Sequence, residues 1–125
     1  MLGRYKIHRG ARPADDPLPS GIRQDTRKHT SHCLRPTNEM VAKYLDDLSE
    51  QGWRRFRDDY LAMLDERFRH DRESFDQLRQ QAKHQDVLLG CNCPTKKNPD
   101  VHRCHTVLAL RFMKRKYPSL KVVIP

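Results

Sequence analysis

Asp86-Val87-Leu88-Leu89-Gly90 is a short apolar run, and Cys91-Asn92-Cys93 follows it directly. A run of this length that ends at a glycine is typical of a buried strand. The next residues, from Pro94 to Pro99, are polar and contain two prolines, which indicates a loop. The stretch therefore predicts a buried strand that ends in a pair of cysteines.

The residues after this loop predict a helix and a further strand. Asp100 is a good N-cap, and its helix is expected to run to about Tyr117, because Pro118 would break it. The packing side of this helix is supplied by Val107, Leu108, Leu110, Phe112 and Met113. Lys121-Val122-Val123-Ile124 predicts the last strand. Strand, helix and strand together predict a C-terminal βαβ unit, which joins parallel strands through a right-handed crossover.

The first two thirds of the chain predict one strand, a long loop and three helices. Tyr5-Lys6-Ile7-His8 alternates like a strand, whereas residues 11–36 contain four prolines and predict a long loop, partly disordered in isolation. The first helix is expected to begin at a Thr37 or Asn38 cap, to carry an apolar stripe from Met40 to Leu48 and to end at Gly52. Two more helices are expected, from about Trp53 to Arg69 and from near Asp71 through Ala82. These elements indicate a single α/β domain, residues 1–125, with a mostly parallel sheet.

The composition favours an anionic partner. The 125 residues include 25 lysines and arginines against 16 aspartates and glutamates, a formal net charge of +9. Such a balance suits nucleic acid or nucleotides, although charge alone fixes no partner. No apolar run approaches the roughly 20 residues that cross a membrane, and the first residues lack a signal-peptide core. We expect a cytoplasmic protein, whose four cysteines serve as thiols, metal ligands or nucleophiles.

A cluster of chemically active side chains follows the predicted strand. In open parallel α/β sheets, ligands bind beyond the carboxyl ends of the strands, and the segment 91–105 occupies that position. The cluster comprises Cys91, Cys93, Lys96, Lys97, His102, Arg103, Cys104 and His105. Each of these residues taken singly could be structural, but their convergence on one strand-helix junction indicates a functional site.

One interpretation of the cluster is a metal site. Cys91, Cys93, Cys104 and His105 offer thiolates and an imidazole, which suit zinc and its four tetrahedral ligands. The spacing is unusual, because structural sites commonly pair ligands two to four residues apart. Neighbouring residues of a helix also point about 100° apart, which disfavours Cys104 and His105 on one ion. His102, Cys33 or His32 could then complete the set.

A second interpretation is an anion site. The start of the last helix offers free N–H groups and the positive end of its dipole. Further charge would come from Lys96, Lys97, Arg103 and a protonated His102 or His105. No glycine-rich phosphate-binding motif is present.

A third interpretation is nucleophilic catalysis. A cysteine near a helix N-terminus and near cations can have a lowered pKa. Cys91, Cys93 and Cys104 all qualify as the nucleophile, with His105 or His102 as the base. The cysteine-phosphatase pattern needs an arginine six positions after the cysteine. Lys97 and Pro99 stand there instead, which disfavours that class of enzyme.

Three segments carry a family resemblance: Leu18-Pro19-Ser20-Gly21-Ile22, the helix with Trp53, Phe56, Tyr60 and Leu64, and Cys104-His105-Thr106-Val107-Leu108-Ala109. In that order they resemble the L-W-P-R-G-I stretch, a central aromatic helix and the start of the last helix in YeaO-like proteins, the domain-of-unknown-function 488 family. Ser20 departs from the usual arginine. The resemblance implies a small Rossmann-like three-layer fold and places Gly21, Cys104 and His105 at the presumed site, but it implies no settled activity.

These observations favour a domain that binds a phosphate-bearing ligand, a nucleotide or nucleic acid, at the junction 91–105. Two alternatives stay open. One is a zinc- or cysteine-dependent enzyme that uses the same cluster. The other is a basic nucleic-acid-binding module that depends on Arg23, Arg27, Lys28, Lys114, Arg115 and Lys116. The sequence leaves the oligomeric state open.

Overall fold

The computed structural model describes residues 1–125, and it contains three strands and four helices. In chain order these are β1 (Leu2–Lys6), β2 (Ile22–Asp25), α1 (Asn38–Asp46), α2 (Glu50–His70), α3 (Arg72–His84), β3 (Val87–Cys91) and α4 (His105–Lys116). A short 3-10 turn, Val101–Arg103, precedes α4. The predicted α/β class is confirmed, while the Rossmann-like layering stays a prediction.

The sheet has the order β1-β3-β2, and both pairings are parallel. Val87 lies beside Leu2 of β1 on one side and Ile22 of β2 on the other. All five residues of β3 are buried, because the strand is flanked on both edges. This explains its continuous apolar run, which is typical of central parallel strands. Since all strands run the same way, their carboxyl ends meet at one edge of the sheet.

The expectation that residues 11–36 form only a loop is wrong, because Ile22–Asp25 is the edge strand β2. Only one of its four residues is apolar, so the strand lacks the alternation that reveals a half-buried strand. The loop on either side is also anchored: Thr26 and Leu34 are fully buried. The strand β1 begins earlier than predicted, at Leu2, because Leu2 and Gly3 are both buried.

The predicted last strand is reduced to a single bridge. Val122 pairs with Leu2 in parallel, and two backbone hydrogen bonds of 2.9 Å hold Leu2 between Lys121 and Val123. The crossover through α4 therefore reaches the far side of β1 and does not lie next to β3. Val123 is half exposed, so only alternate residues of this segment pack against the core.

The three central helices begin at side-chain caps. Thr37 accepts a hydrogen bond from the N–H of Met40, Ser49 from that of Gly52, and Asp71 from that of Ser74. The expectation that Gly52 ends the first helix is wrong, because α2 starts at Glu50 and Gly52 lies in its first turn. The serine cap, three residues before the glycine, outweighs the preference of glycine for helix ends.

One hydrophobic core of 19 residues joins the sheet to all four helices. Leu2, Val87 and Leu89 supply its sheet side, and Tyr60 and Phe112 are among its fully buried helical side chains. The helix α4 packs on β1, β3 and α2. This packing places the N-terminus of α4 beside the carboxyl end of β3, where the cysteines lie.

Candidate functional site

Three cysteines converge where β3 meets α4. Cys91 is the last residue of β3, Cys93 lies two residues on, and Cys104 is the N-cap of α4. Their sulfur atoms all lie within 4.8 Å of one another, and the three could hold a metal ion. Cys104 has extended backbone angles, φ −127° and ψ 143°, so it stands outside the helix that His105 begins. The objection that both residues belong to one helical turn therefore does not apply.

His105 faces this cluster of three cysteines from the first position of α4. Its Nδ1 lies 3.8 Å from the sulfur of Cys91 and 4.0 Å from that of Cys104. Its Nε2 lies 2.8 Å from Oγ1 of Thr26, and that hydroxyl lies 3.0 Å from the carbonyl oxygen of Gly90. The ring of Tyr60 packs against the imidazole edge-on, at 5.8 Å between centroids. His105 is thus fixed in place by packing and by hydrogen bonding.

A second set of polar groups supports the sulfur atoms. Arg4 donates from Nε to Oγ1 of Thr106, at 2.8 Å, and from Nη2 to the carbonyl oxygen of Cys93, at 2.7 Å. Oγ1 of Thr106 lies 3.2 Å from the sulfur of Cys104. The buried amide of Asn98 lies 3.6 Å from the sulfur of Cys93. Strand β1 and the loop therefore both hold the cluster from outside.

The three thiols have unequal acidities. Hydrogen bonds from the thiols of Cys91 and Cys93 lower the pKa of Cys104 well below its usual value, and the nearby imidazole of His105 acts in the same direction. Conversely, the hydrogen bond with Cys104 raises the pKa of Cys93 to about 11, and it raises the pKa of Cys91 as well. Because negative charges this close repel one another, the cluster without a metal favours one thiolate, on Cys104.

A cavity of about 1000 Å³ opens above the cysteines. Its lining includes seven lysines and arginines and no aspartate or glutamate. Arg27 pairs with Asp25, and Arg103 pairs with Glu50. The other five make no ion pair, and they are Lys6, Arg9, Lys28, Lys96 and Lys97. The apolar part of the lining consists of Pro36, Val41, Tyr44, Leu45 and Phe56.

The structure brings most of the predicted site residues together, but not all. Cys91, Cys93, Lys96, Lys97, Arg103, Cys104 and His105 all line the cavity. Exposed His102 instead bonds to Asp100 and to the carbonyl oxygen of Pro125. Gly21 lies at the amino end of β2, against Asp86, and is therefore at the opposite edge of the sheet. Its φ of +118° and the nearness of Asp86 account for the glycine.

Cys33 and His32 do not complete a metal site with the cysteine cluster. Both line a separate cavity of about 550 Å³, where Nε2 of His32 bonds to Gln24. The basic residues proposed for a nucleic-acid-binding module are also divided. Arg27 and Lys28 line the main cavity, whereas Lys114, Arg115 and Lys116 lie at the far end of α4.

Sequence reasoning missed the supporting residues Arg4, Thr26, Asn98 and Thr106. Thr26 directly follows β2, so its place at the carboxyl edge would have been apparent only once β2 was predicted. Arg4 lies in β1, but the alternating pattern predicts a strand only from Tyr5 onward. Thr106 directly follows the Cys104-His105 pair, and this adjacency in the sequence is the only indication that Thr106 supports the cysteine cluster.

No helix has the length and apolar character needed to cross a membrane.

Of the comparisons with known proteins, the one with protein families gives a match. No curated protein and no solved structure matches the chain. A family model described as DUF488-N3a, the active DUF488-N3 subclade, matches residues 9–116 and thus most of the chain, including the cysteine cluster. The resemblance seen in the sequence is confirmed: the chain belongs to the DUF488 family, a family of domains of unknown function.

Proposed function

We propose that this protein binds a phosphate-bearing ligand, a nucleotide or nucleic acid, in the cavity above the cysteine cluster. The observation that carries the proposal is the charge of the lining, seven cations and no carboxylate, with five of the cations unpaired. The positive potential of lysines and arginines that lack carboxylate partners is not offset by a neighbouring negative charge, so it can attract an anionic ligand. A concave site also focuses their field. The N-terminus of α4 adds the positive end of a helix dipole at the same place.

The shape of the cavity suits a ligand that carries a base. The same lining combines apolar side chains, among them Val41 and Leu45, with the lysines. Nucleotides combine an apolar aromatic face with an anionic phosphate, and single-stranded nucleic acid is bound in this way, by stacking and by cations. The four cysteines form no disulfide, which fits the reducing cytoplasm that we propose as the location.

Fluorescence anisotropy with a labelled 12-nucleotide single strand and with a labelled ATP analogue tests this proposal. The variant Lys96→Gln/Lys97→Gln should weaken binding of the preferred probe by about tenfold. The matched control is Lys83→Gln/Lys121→Gln, which removes two exposed lysines outside the cavity. Absence of binding of both probes to the wild type, or equal losses in the two variants, would refute the proposal.

A zinc ion held by Cys91, Cys93 and Cys104 is the second proposal. It is favoured by the mutual approach of the three sulfur atoms within 4.8 Å. Zinc is the usual metal for thiolate sites, and a bound zinc could support either structure or hydrolysis. The donors Thr106 and Asn98, which face two of the sulfurs, suit thiolate ligands.

Native mass spectrometry before and after a chelator tests for the metal. The wild type and Cys33→Ser, the matched cysteine outside the cluster, should each carry one zinc per chain, and Cys91→Ser/Cys93→Ser should carry none. A wild type without zinc would refute the second proposal. Fast alkylation of Cys104 in that protein would then favour thiol chemistry in its place.

A further inference from the structure

We infer that Nδ1 of His105 is the fourth donor of a closed Cys3His metal site, and that the hydroxyl of Thr26 selects this nitrogen. The inference rests on the zinc proposed for the three cysteines, and it adds the last ligand, the ring atom that binds and the absence of an open position. An open three-cysteine site would leave room for a metal-bound water, whereas a closed site is structural.

The hydrogen bonds of Thr26 determine where the proton of the imidazole lies. A hydroxyl has one proton to donate, and the carbonyl oxygen of Gly90, 3.0 Å away, can only accept. Once Oγ1 donates to Gly90, it can only accept from Nε2 of His105, 2.8 Å away. In the neutral ring Nε2 therefore carries the proton, and Nδ1 keeps its lone pair. Thr26 is fully buried and His105 nearly so, which shields both hydrogen bonds from competition by bulk water.

The free lone pair faces two of the three sulfur atoms at close to the spacing of a metal site. With Zn–S near 2.3 Å and Zn–N near 2.0 Å, a tetrahedral site has S···S edges of about 3.8 Å and N···S edges of about 3.5 Å. Nδ1 lies 3.8 Å from the sulfur of Cys91 and 4.0 Å from that of Cys104. The sulfur of Cys93 lies within 4.8 Å of both sulfurs. The ligand atoms that all lie within 4.8 Å of one another are the three sulfurs alone, so Cys93 and Nδ1 of His105 must move closer together for four donors to surround one ion.

The charge balance is also satisfied. Starting from two thiols and the thiolate of Cys104, binding forms three Zn–S bonds and one Zn–N bond, releases two protons and leaves a site of net charge −1, because neutral His105 contributes none. Arg4 lies next to this charge, and its bond to Thr106 leaves the hydroxyl of Thr106 free to donate to Cys104. A single negative charge offsets only one of the seven cations of the cavity, so the cavity keeps its capacity for an anionic ligand.

A closed site at this position would act on the loop that carries two of the cations. It would tie the end of β3, the residues after it and the start of α4 to one ion, with Lys96 and Lys97 held in between. The metal would then organise one rim of the cavity and take no direct part in a reaction there.

The direct experiment is NMR of the ¹⁵N-labelled protein loaded with ¹¹³Cd, a spectroscopic substitute for zinc. We expect coupling between cadmium and Nδ1 of His105, with the proton on Nε2. Coupling at Nε2, or cadmium bound without coupling to His105, would overturn the inference while the zinc proposal stands. A wild type that binds neither zinc nor cadmium would overturn both.

Variants of the supporting threonine give an independent test. Thr26→Val keeps the shape and removes the hydroxyl, and it should weaken zinc binding by about 10- to 100-fold in a competition assay with a chromophoric chelator. Thr26→Ser restores the hydroxyl and should bind close to the wild type, as should His102→Ala, which removes an exposed histidine nearby. Equal zinc affinity in Thr26→Val and the wild type would contradict the role of Thr26.

Discussion

His32 is a half-buried histidine whose neutral form has both ring nitrogens engaged. Its Nε2 bonds to Oε1 of Gln24 at 2.7 Å, and its Nδ1 accepts from the N–H of Leu34 at 3.0 Å. Burial lowers the pKa of His32 to about 4, and the nearby His105 adds to the shift. Protonation would place a second proton against the N–H of Leu34, so the folded state resists it.

This shift predicts a loss of stability in mild acid. The unfolded chain takes up a proton at His32 as the pH falls below about 6.5, but the folded protein does so only near pH 4. The contribution of His32 to the free energy of unfolding is therefore fully present above about pH 6.5 and is lost between pH 6.5 and pH 4. Below pH 4 this contribution changes no further. From pH 7 to pH 5 the free energy of unfolding should fall by about 2 kcal/mol more in the wild type than in His32→Gln.

Urea unfolding at both pH values measures this difference. Release of a metal in acid would affect the two proteins alike, so it cancels in the comparison. An equal loss in the wild type and His32→Gln would show that His32 titrates normally in the folded state.

At the scale of the residue, the candidate metal ligands could be identified from the sequence, but the residues that hold those ligands in place could not. Cys91, Cys93, Cys104 and His105 were recognisable because thiols and imidazoles are rare and these cluster along the chain. Thr26 is one of several threonines, and nothing local distinguishes it. Its role depends on a contact with His105, which lies far along the chain, and such contacts follow only from the sheet order.

At the scale of the element, Gly52 shows how a helix start can reverse an intrinsic preference. An added Cβ at this position would clash with the carbonyl oxygen of Asp47, in the turn that joins α1 to α2. In an exposed helix, alanine is favoured over glycine by about 1 kcal/mol. Here the close approach of the two backbones outweighs that preference.

Gly52→Ala should therefore destabilise the protein by roughly 1–3 kcal/mol, since the turn must move to admit the methyl group. Exposed Gln51, its neighbour in the same helical turn, is the matched control, and Gln51→Ala should be nearly neutral. Chemical denaturation measures both variants. An unchanged or increased stability of Gly52→Ala would contradict the close approach.

Elements with strong periodicity were predicted well, and those without it were not. The helices α2 and α3 and the strand β3 follow from their apolar patterns, because their burial is either one-sided or complete. The edge strand β2 has a single apolar residue, and its pairing with β3 is a long-range contact that no local pattern encodes. The last segment is apolar and β-branched like a strand, but it makes only one bridge.

On the scale of the whole molecule, the proposed metal and the cationic cavity should be coupled. Removal of the metal by a chelator should lower the Tm by about 10 °C, because a ligand that binds only the folded state stabilises it in proportion to its affinity. Binding of the anionic probe should weaken in the same samples, since the loop with Lys96 and Lys97 loses its anchor.

Differential scanning calorimetry and anisotropy, run with the Cys33→Ser protein beside the wild type, measure both effects. Addition of zinc should restore the Tm and the affinity together. A protein whose Tm falls while its probe affinity stays constant would show that the metal and the cavity act independently.

The cavity also predicts the salt dependence of binding. For single-stranded nucleic acid, each lost lysine–phosphate contact should make the slope of log affinity against log salt concentration less negative by about 0.7. For Lys96→Gln/Lys97→Gln the slope should thus become less negative by about 1.4, and for Lys83→Gln/Lys121→Gln it should not change. Anisotropy titrations at four salt concentrations give these slopes. Identical slopes in all three proteins would show that the nucleic acid binds outside the cavity.

The parallel sheet has a consequence for how the chain is made. Each strand pairs only with a strand distant in sequence: β1 and β2 both wait for β3, and Val122 then adds beside Leu2. During synthesis the first two strands therefore leave the ribosome without a partner, and only α1, α2 and α3 can form from local contacts. Sheets built from such non-local pairings fold slowly and expose unpaired edges meanwhile. The charged edge strand Ile22–Asp25 limits that exposure, because it offers nascent chains little apolar surface on which to associate.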